Sequence, residues 1–344
     1  MMLLPLLKIS DTAGSEATIL PYGAILHSLR ILVHGQPREV LVNLPDWRDY
    51  ITDQNYIGSI IGRVANRISG AKFRFGNIEH NVTANEAPNC LHGGAQGFGK
   101  QVWEIVEHST HRVVLSYLSP NGEEGFPGNV KVLATFEFVA PKSLRISYDA
   151  ETDAPTPIDL THHLYFNLAS GAGGAIEDHL LQVHSDSVLE LDRTYVPTGD
   201  VLRLPRTPFD LNKATKLGDL LARKHYQLTR IGLNQSWILR PVEPAFRMIA
   251  PDHSLELAVS TDQPCLQLYS GLNRENAPAG ALAVEPQGYI DAVNRFQFPS
   301  PWLVPRERYR RSTLYEFFDA PKVDASRPLT GTGRRASTTG ALRS

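Results

Sequence analysis

Two polar segments hold residues suited to proton transfer. One reads Thr161-His162-His163-Leu164-Tyr165-Phe166-Asn167-Leu168 and the other runs from Val284-Glu285-Pro286-Gln287 to Asn294. A histidine titrates near neutral pH and a carboxylate can act as a base, so a converging pair could donate and remove protons together. The adjacent histidines are separated by parity, because residues two apart in an extended segment share a face. His162 falls with Leu164, Phe166 and Leu168 and is expected to be a packed, hydrogen-bonded core histidine. His163 falls with Tyr165 and Asn167 and is the candidate acid–base residue. Glu285 alternates with Leu282 and Val284 and projects from the opposite face of its strand, as Gln267 and Tyr269 oppose Leu266 and Leu268. If the apolar parities face a core between sheets, these polar groups line the other, concave surface.

Two further clusters are Gly62-Arg63-Val64-Ala65-Asn66-Arg67-Ile68 and Asn85-Glu86-Ala87-Pro88-Asn89-Cys90-Leu91-His92-Gly93-Gly94. Taken singly, each signal also has a plainer reading. Glu285 could be a solvated surface residue, Arg67 a paired arginine, and His92 a capping histidine in a glycine turn. A metal site on His92, His162 and His163 is the competing reading with chemical content. Neighbouring histidines on opposite strand faces do not easily share one ion, and neither a cysteine ligand pattern nor an HExxH spacing supports one. No metal is expected.

The elements that must position these groups are strands. Val130, Val132, Ala134, Phe136 and Phe138 share one parity, and Leu144, Ile146 and Tyr148 alternate with Arg145, Ser147 and Asp149. That is the period of a half-buried strand. Residues 113–118 and 255–260 read the same way. Turn chemistry punctuates them at Pro120-Asn121-Gly122, Gly125, Pro127-Gly128 and Pro141. The best helix candidate runs from Thr215 to Lys224, with Leu217, Leu220 and Leu221 at helical spacing. The pattern predicts an all-β protein, a large antiparallel β-sandwich. No composition break precedes residue 320, so 1–320 is expected to form one domain. Residues 321–344 are rich in Ser, Thr, Gly and Arg and are expected to be a disordered tail.

Composition excludes several function classes. With 34 basic and 36 acidic residues the net charge is −2, which offers no strongly basic face for nucleic acid or an anionic membrane. Two cysteines, Cys90 and Cys265, are too few for a disulfide framework and are expected to be buried thiols. At the N-terminus Lys8 follows the apolar run and Pro5 interrupts it, unlike a secretion signal. No stretch approaches the ~20 apolar residues of a membrane helix. A cytoplasmic protein is expected.

Together, and in this order, the clusters resemble the aldose 1-epimerase (galactose mutarotase) family. The segments are GRVANRI, NEAPNCLHGG followed by GFGKQVWE, THHLYFNLA, Val196-Pro197-Thr198-Gly199 and VEPQGYIDAVN, and the similarity extends from about Tyr22 to about Phe317. The resemblance implies a large antiparallel β-sandwich with a sugar site on its concave face. It implies cofactor-free interconversion of the anomers of a free aldose, by a monomer or homodimer. Glu285 would be the base at the anomeric hydroxyl and His163 the acid at the ring oxygen. Asn66, Arg67, His92, Tyr165, Asn234 and Gln267 would bind the sugar. The chain departs from the family pattern at Gly232-Leu233-Asn234-Gln235, where Gly-Phe-Asp-His is usual. Asn234 is neutral and can donate as well as accept. The segment Pro278-Ala279-Gly280-Ala281 is also shorter and less polar than usual, so a sugar other than galactose or glucose is a plausible substrate. Two alternatives accompany this reading: a hexose-6-phosphate 1-epimerase, which needs extra Arg or Lys for the phosphate, and a catalytically silent sugar-binding module.

Overall fold

In the computed structural model, residues 4–169, 175–205, 207–228, 232–271 and 280–319 are described. Every strand ladder among them is antiparallel, and two large sheets dominate. One has nine strands in the spatial order Glu104–His108, Arg112–Ser119, Val130–Ala140, Ser143–Thr152, Tyr309–Asp319, Leu255–Thr261, Phe246–Ile249, Leu180–Val183 and Thr215–Lys216. The other, the site sheet, has six strands in the order Leu164–Phe166, Leu282–Gln287, Cys265–Tyr269, Asn234–Leu239, Ser185–Leu191 and Pro197–Arg203. A four-stranded N-terminal sheet covers Leu7–Ser10, Glu16–Leu20, Ile25–Val33 and Gln36–Glu39.

Alternation decides which face of each strand meets the core. Val130, Val132, Ala134, Phe136 and Phe138 are all buried, as are Leu144, Ile146 and Tyr148, while Arg145, Ser147 and Asp149 are only half-buried. From the site sheet, Leu164, Phe166, Trp237, Leu266, Leu268, Leu282 and Val284 join them in one hydrophobic cluster that extends from Leu7 to Phe317. The opposite face of the site sheet is covered too. Tyr165, Tyr269 and Ala283 pack there with Leu20, Ile25, Tyr50 and Ile57. The all-β sandwich expected from periodicity is therefore the observed architecture.

The helix expected from Thr215 to Lys224 is mostly absent. Thr215–Lys216 pairs as a strand with Leu180 and Leu181, and only Leu217–Leu221 is helical. Leu217 and Leu220 are buried in the main core, so one turn satisfies the apolar spacing that suggested a longer helix. Among the described residues no helix is long and apolar enough to cross a membrane. Cys90 and Cys265 are buried free thiols, as expected. The expected tail, 321–344, lies outside the described residues.

Candidate active site

Glu285 sits on Leu282–Gln287, one strand in from the edge of the site sheet, directly opposite Gln267 in the register. Its neighbours Leu282 and Val284 point into the main core, which fixes the carboxylate toward the other face. The side chain is only 2% exposed. Burial pushes its carboxyl up to about 8, against the opposing pull of the Arg67 guanidinium. Oε1 lies 3.5 Å from His163 Nε2. Among the described residues Oε2 has no hydrogen-bond partner.

His163 occupies the break between Thr161–His162 and Leu164–Phe166. The segment is thus not one unbroken strand, yet both flanks are extended and the parity survives. The His163 backbone is clamped on both sides, its N–H donating to Ser59 O at 3.0 Å and its carbonyl accepting from Gly58 N at 2.9 Å. His162 turns the other way, into the core. Its ring bonds the Tyr148 hydroxyl at 2.6 Å and the Ala24 carbonyl at 3.0 Å, and it stacks on Tyr148. Burial lowers its pKa to about 4, which keeps it neutral. Alternation thus sends His162 into the core and His163 toward the cleft, as expected.

His92 reaches the site from a different motif. The two-residue strands Arg67–Ile68 and Cys90–Leu91 pair, and His92 follows with φ +53. Asn66 and His92 then bond reciprocally: His92 N–H donates to Asn66 O at 3.0 Å, and Asn66 N–H donates to His92 Nδ1 at 3.2 Å. An Nδ1 that accepts places the ring proton of neutral His92 on Nε2, making that nitrogen a donor. The turn needs Gly93, whose φ is +84 and where a Cβ would lie 1.9 Å from Gly62 O. Ligand atoms of His92, His163 and Glu285 lie within 4.8 Å of one another, a spacing a cation could bridge. The Asn66 N–H speaks against that use. A metal on Nε2 would require the proton on Nδ1, where it would oppose the N–H already donating there.

The remaining expected residues converge on the same cleft. Asn66, Arg67, His92, His163, Tyr165, Asn234, Gln267 and Glu285 all line it. The Gln267 and Asn234 side-chain amides bond each other at 2.6 Å. The Tyr165 ring lies 4.8 Å from that of His163, and its hydroxyl donates to Asn55 O at 3.2 Å. Arg67 Nε and Nη2 donate to the two Glu86 oxygens at 2.5 and 2.8 Å.

The cleft also contains residues that sequence reasoning left out. Gln54, Asn55 and Tyr56 line it from a loop after the short helix Asp49–Thr52. Tyr56 packs its ring against both His92 and His163, with centroids 4.7 and 6.1 Å away. Lys100 fastens this loop by donating to the Tyr50, Ile51 and Asp53 carbonyls. Tyr269, which alternation had already set on this face, lies beside His163, and its buried hydroxyl lacks a hydrogen-bond partner among the described residues. A wider cavity opens beyond the end of the Glu285 strand, where Asp159 accepts the Gly288 N–H at 2.9 Å through each oxygen. No histidine lines that cavity among the described residues, whereas His92 and His163 both line the cleft.

Comparison with known proteins places the chain in a family. The family model described as aldose 1-epimerase matches residues 5–316. The galactose mutarotase of Homo sapiens is 33% identical over 87% of this chain and 90% of its own length. The aldose 1-epimerase of Escherichia coli K12 is 30% identical over 91% of this chain and 94% of its own. Among solved structures, the GalM/aldose epimerase homologue of C. elegans superposes with a TM-score of 0.85 at 28% identity, covering 93% of this chain and 100% of that one. The galactose 1-epimerase of Lactobacillus acidophilus gives 0.81 at 28% identity, with coverages of 91% and 94%. Matched along nearly its whole length by the family model and by relatives of the same fold, the chain belongs to the aldose 1-epimerase family.

Proposed function

We propose that Glu285 and His163 are the acid–base pair with which this aldose 1-epimerase interconverts the α and β anomers of a free aldose. The observation that carries the assignment is their placement: two almost fully buried titratable groups 3.5 Å apart, with one carboxylate oxygen lacking a hydrogen-bond partner among the described residues. Such a pair shares protons, and its reactive form has one, on the histidine. Glu285 then takes the proton of the anomeric hydroxyl while His163 protonates the ring oxygen. The bond between the anomeric carbon and the ring oxygen breaks and leaves the aldehyde. Rotation about the adjacent carbon–carbon bond presents the other face. On closure His163 removes the hydroxyl proton it had given, and protonated Glu285 returns its own to the carbonyl oxygen. No cofactor enters these steps.

Arg67 and the His92 Nε2–H favour the negative charge that develops on sugar oxygens. Asn66, Tyr165, Asn234 and Gln267 bind hydroxyls. Asn234 offers a neutral amide already bonded to Gln267, which supports a sugar preference set by hydrogen-bond geometry rather than charge. The relatives named galactose mutarotase make galactose the first sugar to assay, within a panel of aldoses. Arg67 is the one Arg or Lys among the described residues lining the cleft, and it is engaged by Glu86, which disfavours a sugar phosphate. The core cluster from Leu7 to Phe317 supports a single domain over residues 1–320. Two buried unpaired thiols support a cytoplasmic setting, and a monomer or homodimer fits the reading.

His163→Ala and Glu285→Gln are each expected to lower the mutarotation rate, followed by polarimetry, by about 10²–10⁴-fold. Near-wild-type rates in either variant would overturn the assignment.

A further inference from the structure

We propose that Glu86 is a positioning residue of this enzyme: it fixes the Arg67 guanidinium at the cleft and offsets its charge at the Glu285–His163 pair. The inference rests on that pair being the acid–base machinery. Its basis is geometric. Arg67 is 6% exposed, and Glu86 grips it through two parallel hydrogen bonds. The Tyr195 ring lies 5.3 Å from the guanidinium carbon, and Asn66 Oδ1 accepts from Nη1 at 3.4 Å.

Glu86 is itself held in place. Its N–H donates to Asn89 O at 3.1 Å, and Asn89 N–H returns a bond to Glu86 O at 2.8 Å. The Asn85 amide bonds both Leu91 N and Leu91 O. Leu91 pairs directly with Arg67 in the register. Carboxylate and guanidinium thus belong to one small rigid unit, the same unit that turns His92 into the cleft.

The titratable groups that line the cleft with Glu285 are His163, His92, Arg67, Tyr56, Tyr165 and Tyr269, and Tyr315 lies on the core side, near enough to feel its charge. Of these, Arg67 is the permanent cation. A bare guanidinium beside the pair would favour its deprotonated form and weaken the base. The Glu86 carboxylate, one third exposed and outside the residues that line the cleft, counters that field. It restrains the charge of Arg67 without touching substrate.

Two variants separate charge from geometry. Glu86→Gln keeps the size and removes the charge. Its pH–rate profile is expected to move to lower pH by about half a unit, roughly a threefold relative gain on the acid limb, with a lower plateau from the weaker base. Glu86→Asp keeps the charge but is one methylene too short for the same grip. It should raise KM and leave the profile where it was. A Glu86→Gln profile that coincides with wild type, or one that moves equally in Glu86→Asp, overturns the proposal. Carbon-13 NMR of carboxyl-labelled protein, with Glu285 assigned through Glu285→Gln, reads the same effect without turnover: its midpoint should fall in Glu86→Gln and not in Glu86→Asp. If wild type lacks mutarotation, the functional reading fails, while the NMR titration still decides the influence of Glu86 on Glu285.

Discussion

Glu285 is a residue whose usefulness opposes stability. Its carboxyl is buried without full hydrogen bonding and titrates near 8 rather than near the ordinary 4.5. A group with a raised folded value binds its proton more tightly folded than unfolded. Its contribution is complete below about 4.5 and is lost as pH rises through about 8. Glu285→Gln should therefore match wild-type stability near the lower pH and exceed it near the upper one, by about 1–3 kcal/mol in urea unfolding. Parallel stability curves for the two proteins would contradict this. At this scale the sequence was legible wherever alternation acted. Parity separated His163 from His162 and turned Glu285, Gln267 and Tyr269 away from the core. Glu86 could not be recognised that way, because its direction depends on a chain reversal from Glu86 to Asn89 and on the pairing of Arg67 with Leu91. Tyr56 carried no signal at all, since its loop has no period.

The elements that build the site differ in how they are specified. Strands such as Val130–Ala140 announce themselves, because one face is buried and the other is not. Leu282–Gln287 is buried on both faces, so its alternation contrasts apolar with polar residues instead of inside with outside. The Thr215–Lys224 stretch misled because three leucines at helical spacing are satisfied by a single turn. The His92 turn is the most tightly constrained element of the cleft. A methyl group on Gly93 would meet the Gly62 carbonyl and the Arg63 nitrogen, at a φ that side chains rarely adopt. Gly93→Ala should cost about 2–4 kcal/mol in thermal or denaturant unfolding and displace His92. The surviving folded protein should show a raised KM. Unchanged stability and kinetics would mean that the turn can relax, contrary to the close approach described.

At the scale of the whole molecule, one apolar core supports both large sheets, and the strand that carries Glu285 is part of it. Phe166 lies on that core beside Leu164, fully buried, with its ring 5.7 Å from that of Tyr315 across the sandwich. Phe166→Ala should lower stability by about 3–5 kcal/mol, seen as a fall in the melting temperature. A loss under about 1 kcal/mol would show that the two sheets close over the gap. The sandwich itself was legible from period-2 patterning, whereas the spatial order of its strands was not, because it is fixed by pairings between segments far apart in sequence. The burial of His163 and Glu285 has a consequence for the enzyme as a machine. In the proposed mechanism, opening the ring loads a proton onto the carboxylate and empties the imidazole, and closing it restores both. Each turnover is a closed circuit that returns the pair to its starting charge, so nothing has to be traded with bulk water between one sugar and the next. The cleft then has to pass sugar but not protons.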